Sequence, residues 1–289
     1  LRRDEEKKLQ KKNSDIKYPT YETLKAEQEE PEAYLLFTIT DEAGNTVHKI
    51  KTNANKGINR ITWNFRYSPV TPVSLETPDN SVPWNEPDKG YMVMPGRYFV
   101  SLSKFKDGKF IELASKKEFV CKSLNNTTLP AEDKFALDAF NKKVAELTRS
   151  IAGVDALRNE LVSKVAYLKK AVLDGANVPT TAYNNIINIE SDLIDLNLKL
   201  NGDQLRGRYE GSAPTSVKQR VDLITGALWS TTAAPTNTFI KSYELAASKF
   251  DNILLSLKTI DASIKQVEYE LEKSGAPFTP GRFPEWKKD

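Results

Sequence analysis

The sequence predicts an α+β, multi-domain chain: an immunoglobulin-like antiparallel β-sandwich followed by a long, up-and-down four-helix bundle. Two observations carry this reading. From Pro31 to about Leu124, short apolar runs alternate with period two and are separated by turn residues. Beyond Pro130 the apolar period changes to the three-four rhythm of amphipathic helices and holds to Leu271. A length of 289 residues accommodates two domains, each with its own core.

Residues 1–30 are strongly charged and carry few apolar anchors (Leu9, Ile16, Tyr18, Tyr21, Leu24), so they read as a partly helical connector broken at Tyr18-Pro19. The sandwich spans 31–124. Tyr34–Thr40 is rich in aromatic and β-branched residues, Asp41–Asn45 closes it as a turn, and Thr46–Ile50 answers as the second strand of a hairpin. In Ile58–Phe65, the residues Ile61, Trp63 and Phe65 alternate onto one face. A proline-rich excursion over 68–88 follows, then runs at Tyr91–Met94, Arg97–Leu102, Lys109–Leu113 and Lys117–Cys121. About seven short strands at this spacing indicate a sandwich.

The bundle spans 130–274. Four apolar seams run from Phe140 to Val172, from Ile186 to Leu200, from Val217 to Leu228 and from Phe239 to Leu271. Breakers lie between them at Gly175–Pro179, Gly202–Pro214 and Ala233–Pro235. A narrow seam sustained that long has to be buried against neighbouring helices. Residues 275–289 form an extended C-terminal tail, with Trp286 folding back as a clasp, and Trp229 packs the bundle end.

Charge and composition exclude several classes. The 42 basic and 39 acidic side chains are interleaved, the net charge is +3, and no basic cluster forms a nucleic-acid footprint. No stretch approaches the roughly 18 apolar residues a membrane span needs. The single cysteine, Cys121, excludes an intramolecular disulfide and reads as a small buried hydrophobe. His48 is the only histidine and sits in a strand beside Lys49, so it cannot join a second histidine or the ordinary catalytic triad. Acids such as Asp41, Glu76, Asp79, Glu86 and Asp88 are too abundant to single out a pair, and phosphate-cradling glycine patterns are absent. No catalytic residue, cofactor site or metal site is expected. Ligand or partner contact falls instead to the loop aromatics Trp84, Tyr91 and Tyr67, which can stack on sugar rings or anchor a protein.

The ordered motifs Ile16-Lys-Tyr-Pro-Thr-Tyr21, Thr38-Ile-Thr-Asp-Glu-Ala-Gly44, Gly57-Ile-Asn-Arg-Ile-Thr-Trp-Asn-Phe-Arg66 and Met94-Pro-Gly-Arg-Tyr98 resemble one family arrangement. It is the C-terminal region of secreted bacterial proteins with BNR repeats and a sortilin-like β-propeller, often labelled glycosyl hydrolase-like. Leu228–Thr236 and Gly275–Gly281 continue the likeness through the helical part. The strand order is also similar to that of the immunoglobulin-like module of flagellar hook-cap proteins. The resemblance implies the C-terminal part of a longer exported protein of a Bacteroidota-like bacterium, located extracellularly, at the cell surface or in the periplasm. Its first partner would be the upstream β-propeller of the same polypeptide, with other cell-envelope proteins or glycans as further candidates, and any active site would belong to the propeller. The opening Leu1-Arg-Arg-Asp-Glu-Glu-Lys-Lys8 agrees with a fragment. The implied role is a non-catalytic accessory or assembly module; the alternatives are a carbohydrate-binding module and a part of a glycoside hydrolase.

Overall fold

The computed structural model describes all residues except 1, 13, 17, 76–88, 125–126, 212, 285 and 287–289. The chain forms two compact units. One comprises Leu1–Trp63 and Arg97–Val120, the other Asn64–Gly96 and Cys121–Asp289.

The first unit holds helices α1 (Arg2–Lys11) and α2 (Tyr21–Glu29) and one four-stranded antiparallel sheet in the order β2-β1-β3-β4. Thr20 caps α2 by accepting the Thr23 N–H, and Arg2 joins the two helices through paired bonds to Glu27 of 2.6 and 2.7 Å. Strands β1 (Tyr34–Asp41) and β2 (Thr46–Thr52) form the expected hairpin, with Gly44 at φ +85° in its turn. Strands β3 (Gly96–Lys106) and β4 (Lys109–Cys121) meet at Asp107-Gly108, both with positive φ, the signature of a tight type I′ hairpin.

Register assigns the faces. Phe37 lies opposite Ile50 and Leu102, and Ile39 opposite His48 and Val100, so one face is apolar across three strands. Trp63 packs edge-on against Tyr98 and Phe119, 5.8 and 6.0 Å away. The other face carries the stacked pair Tyr34 and Phe105, with Phe110 against both.

About seven short strands are expected from sequence; among the described residues there are four strands in one sheet. The runs at Lys109–Leu113 and Lys117–Cys121 are one strand, because Ala114-Ser115-Lys116 continue the extended backbone. The run at 58–65 is not laddered; Arg66, just beyond it, forms an isolated bridge with Met92 of the 91–94 run.

The second unit is mainly helical: α3 (Lys134–Asp174), α4 (Thr180–Asn201), α5 (Gln204–Tyr209), α6 (Val217–Leu228) and α7 (Asn237–Lys273). Caps fix the starts. Asp133 accepts the N–H groups of Phe135 and Ala136, both at 2.9 Å, and Ser216 with Gln219 forms a capping box on α6. Each of α3, α4, α6 and α7 packs against the other three. Their apolar seams, including Val144, Leu168, Ile186, Leu200, Ile224 and Ile264, meet in one continuous core. The short α5 has no apolar stripe and no buried residue; Asp203 caps it and an Arg206–Glu210 pair closes it. After α7 the tail turns back as far as Arg282, which pairs with Glu272 and donates to Pro277 O, while Ala276 and Thr279 are buried. Trp286 is 80% exposed, so the clasp ends short of the tryptophan.

Candidate functional site

Two of the three aromatics singled out from sequence, Tyr67 and Tyr91, belong to a junction in the second unit. Trp84 lies outside the described residues. The Tyr67 N–H donates to Tyr91 O at 3.0 Å and the Val93 N–H to Phe65 O at 2.9 Å, a short clasp between two loop segments. Their rings stack with centroids 4.4 Å apart, and Trp229 lies against Tyr91 at 6.0 Å. Tyr91 is only 4% exposed. An aromatic enclosed this way packs the junction.

Arg66, the last residue of the Gly57–Arg66 motif but with no role there read from sequence, fixes the clasp to the end of α6. Its guanidinium donates to Gly90 O at 3.1 Å, to Trp229 O at 2.8 Å and to Ser230 Oγ at 2.9 Å. The Met92 N–H adds a bond to Trp229 O. These bonds explain why 64–96 belongs with the helices and not with the sandwich to which its turn residues assign it. At Gly90 a Cβ would lie 2.5 Å from Tyr67 O and 2.6 Å from Ser68 O, so the close approach of the segments requires glycine.

A cavity of about 530 Å³ opens beside this junction. Its walls come from Asn64-Phe65, Met92-Val93, Pro95, Cys121–Leu124, Thr127 and Ser230–Thr232, all in the second unit. Burial pushes the Cys121 thiol above its ordinary pKa, so it is protonated at neutral pH and a poor nucleophile. A smaller cavity of about 340 Å³ lies along α3 and α6, lined in part by Asp155, Lys218 and Asp222. Asp155 is occupied by Arg158 at 3.2 Å, Asn201 at 3.0 Å and Lys218 at 3.9 Å. Partial burial raises the Asp222 carboxyl above the usual aspartate pKa, against the pull of Lys218. This pair of acids was not singled out from sequence, because nothing distinguishes Asp155 and Asp222 from other helical carboxylates until the helices pack.

His48 lies in β2 opposite Ile39, and burial lowers its pKa. Among the described residues, no three His, Cys, Asp or Glu side chains gather as a metal site, and no helix is long and apolar enough to cross a membrane. Comparison of the chain with protein-family models, with curated proteins and with solved structures returns no match.

Proposed function

We propose that the chain is a non-catalytic accessory module of a larger exported protein and works through protein–protein contacts of its sheet unit. The observation that carries this is the thin cover on the sheet. Among its described residues only Ile39, Thr40, Val47 and Tyr98 are buried. On the edge strand β4, Phe110, Ile111, Leu113 and Val120 are each more than half exposed. Strand alternation puts Ile111 and Leu113 side by side on the same face of β4; exposed apolar neighbours of this kind mark an interaction site, and an apolar sheet face is stable when a second layer covers it. The sheet is then one half of an immunoglobulin-like sandwich.

The four long helices read as an up-and-down bundle, since the short 175–179 connection suits antiparallel neighbours. Their seams are spent on one another. The motif resemblance supplies the partner: a β-propeller upstream in the same polypeptide, of a protein exported to the surface, the periplasm or the medium.

An antibody against this chain tests the reading on the cells that make it. A band well above 32.5 kDa in an exported fraction is expected, whereas a 32.5 kDa band confined to the cytoplasm would remove the proposal. The contact itself is tested by producing the upstream portion separately. The pair Ile111→Glu and Leu113→Glu should abolish its binding to this chain and leave the helical circular dichroism unchanged. Unaltered binding would move the contact elsewhere.

A further inference from the structure

We propose that the cavity of about 530 Å³ beside the Arg66 junction binds a small amphipathic carboxylate of the medium-chain fatty-acid class. The inference is independent of the module's protein contacts. The volume falls within the range of about 300–1,000 Å³ typical of small-molecule sites. Phe65, Met92, Val93, Pro95 and Leu124 supply apolar surface for an alkyl chain.

Beside Asn64 and Ser123, the polar part of the wall holds four further hydroxyls and one lysine that can donate. Ser230 Oγ accepts from Arg66 Nη2 at 2.9 Å, and Thr231 Oγ1 accepts from the Ala233 N–H at 3.2 Å. A hydroxyl whose oxygen already accepts keeps its own proton to give. Thr127 and Thr232 bond each other at 3.0 Å, which consumes one of their two protons and leaves the other. Lys122, which also lines the cavity, adds a cation that has no ion pair among the described residues, and no aspartate or glutamate lines the cavity. Hydroxyl protons and a cationic side chain, in a wall that also offers alkyl surface, select an acceptor of negative charge that carries an apolar tail.

A second observation points to the same place. Phe65, in the wall, has φ of +57°, a conformation that a bulky side chain adopts at a steric cost. Strain of this sort persists where the surroundings hold it, and ligand clamps are a common setting. The strained backbone is held on the cavity side by the Val93 N–H bond to Phe65 O.

Cys121 provides the readout, because it lines the cavity and is the only cysteine in the chain. The intact chain is labelled with a thiol reagent at fixed pH, with octanoate, with octan-1-ol or with neither. Octanoate should slow labelling severalfold and saturably, and octan-1-ol much less. Lys122→Met keeps the apolar stem of an exposed side chain and removes its charge. It should weaken protection by octanoate about tenfold, the usual worth of a charge-assisted hydrogen bond, and leave the octan-1-ol result unchanged. Labelling indifferent to millimolar octanoate would overturn the site. Equal protection by acid and alcohol, or protection that survives Lys122→Met, would overturn the carboxylate assignment.

Discussion

The helical unit and the sheet unit solve the burial problem in opposite ways. In the helical unit every long helix turns its seam onto the other three, and Leu168, Ile186, Ile224 and Ile264 are fully enclosed. The sheet unit has about as clear an apolar face, yet among its described apolar residues only Ile39, Val47 and Tyr98 are buried. The difference follows from geometry. A helix carries its apolar residues on one stripe that three neighbours can cover, whereas a sheet face needs a whole second layer. Regular patterning therefore produces a closed core in one unit and a thinly covered sheet in the other.

The contrast is sharpest in stability. Ile264→Ala in α7 should cost about 4–5 kcal/mol, and Ile39→Ala in β1 about 2 kcal/mol, because a thinly covered site collapses more easily around the lost atoms. Urea unfolding followed by helical circular dichroism and by tryptophan fluorescence checks both, and equal losses would break the comparison. Gly90→Ala, which forces a Cβ against two backbone carbonyls, should cost about 1–3 kcal/mol. That loss should appear in the helical transition, since Gly90 belongs to that unit. Ser216→Ala removes half of the capping box on α6 and should cost about 1 kcal/mol in the same transition.

The smallest effects are those of pH, and they run in opposite directions. His48 in the sheet has its pKa lowered by burial, so below about pH 6.5 the unfolded chain takes up a proton that the folded chain resists. Stability of the sheet unit should therefore fall as pH drops from about 6.5 through the lowered folded value, and His48→Gln should flatten that slope. Asp222 in the helical unit has its pKa raised, so the folded chain holds the extra proton. Its contribution is present below the ordinary aspartate pKa of about 3.9 and is lost as pH rises through the raised value; Asp222→Asn should remove this dependence. Thermal melts across both windows measure the two slopes.

Much of the fold was legible from local pattern. The third seam, Val217–Leu228, coincides with α6, and the other three fall within α3, α4 and α7. The β1–β2 hairpin was marked by Asp41–Asn45, and the break between α1 and α2 by Tyr18-Pro19. These signals are readable because each depends on neighbours within a turn or two. The candidate site was far less legible. Tyr67 and Tyr91 were marked as aromatics on a loop, but nothing local says whether a loop ring faces outward or is packed into a junction, as Tyr91 is against Tyr67 and Trp229. The role of Arg66 escaped notice because its partner Trp229 is 163 residues away.

By itself, then, the sequence determined the period of every long helix, the hairpin turns and the balance of charge, all properties of short stretches of chain. Tertiary structure decided which segments sit together. It placed 64–96 with the helices, merged two expected strands into β4 and brought Lys122 and Cys121 into the wall of one cavity with Phe65 and Ser230. The physical reason is that hydrogen bonds such as those of Arg66, and the shape of a cavity, depend on contacts between residues far apart in the chain, which no local periodicity encodes.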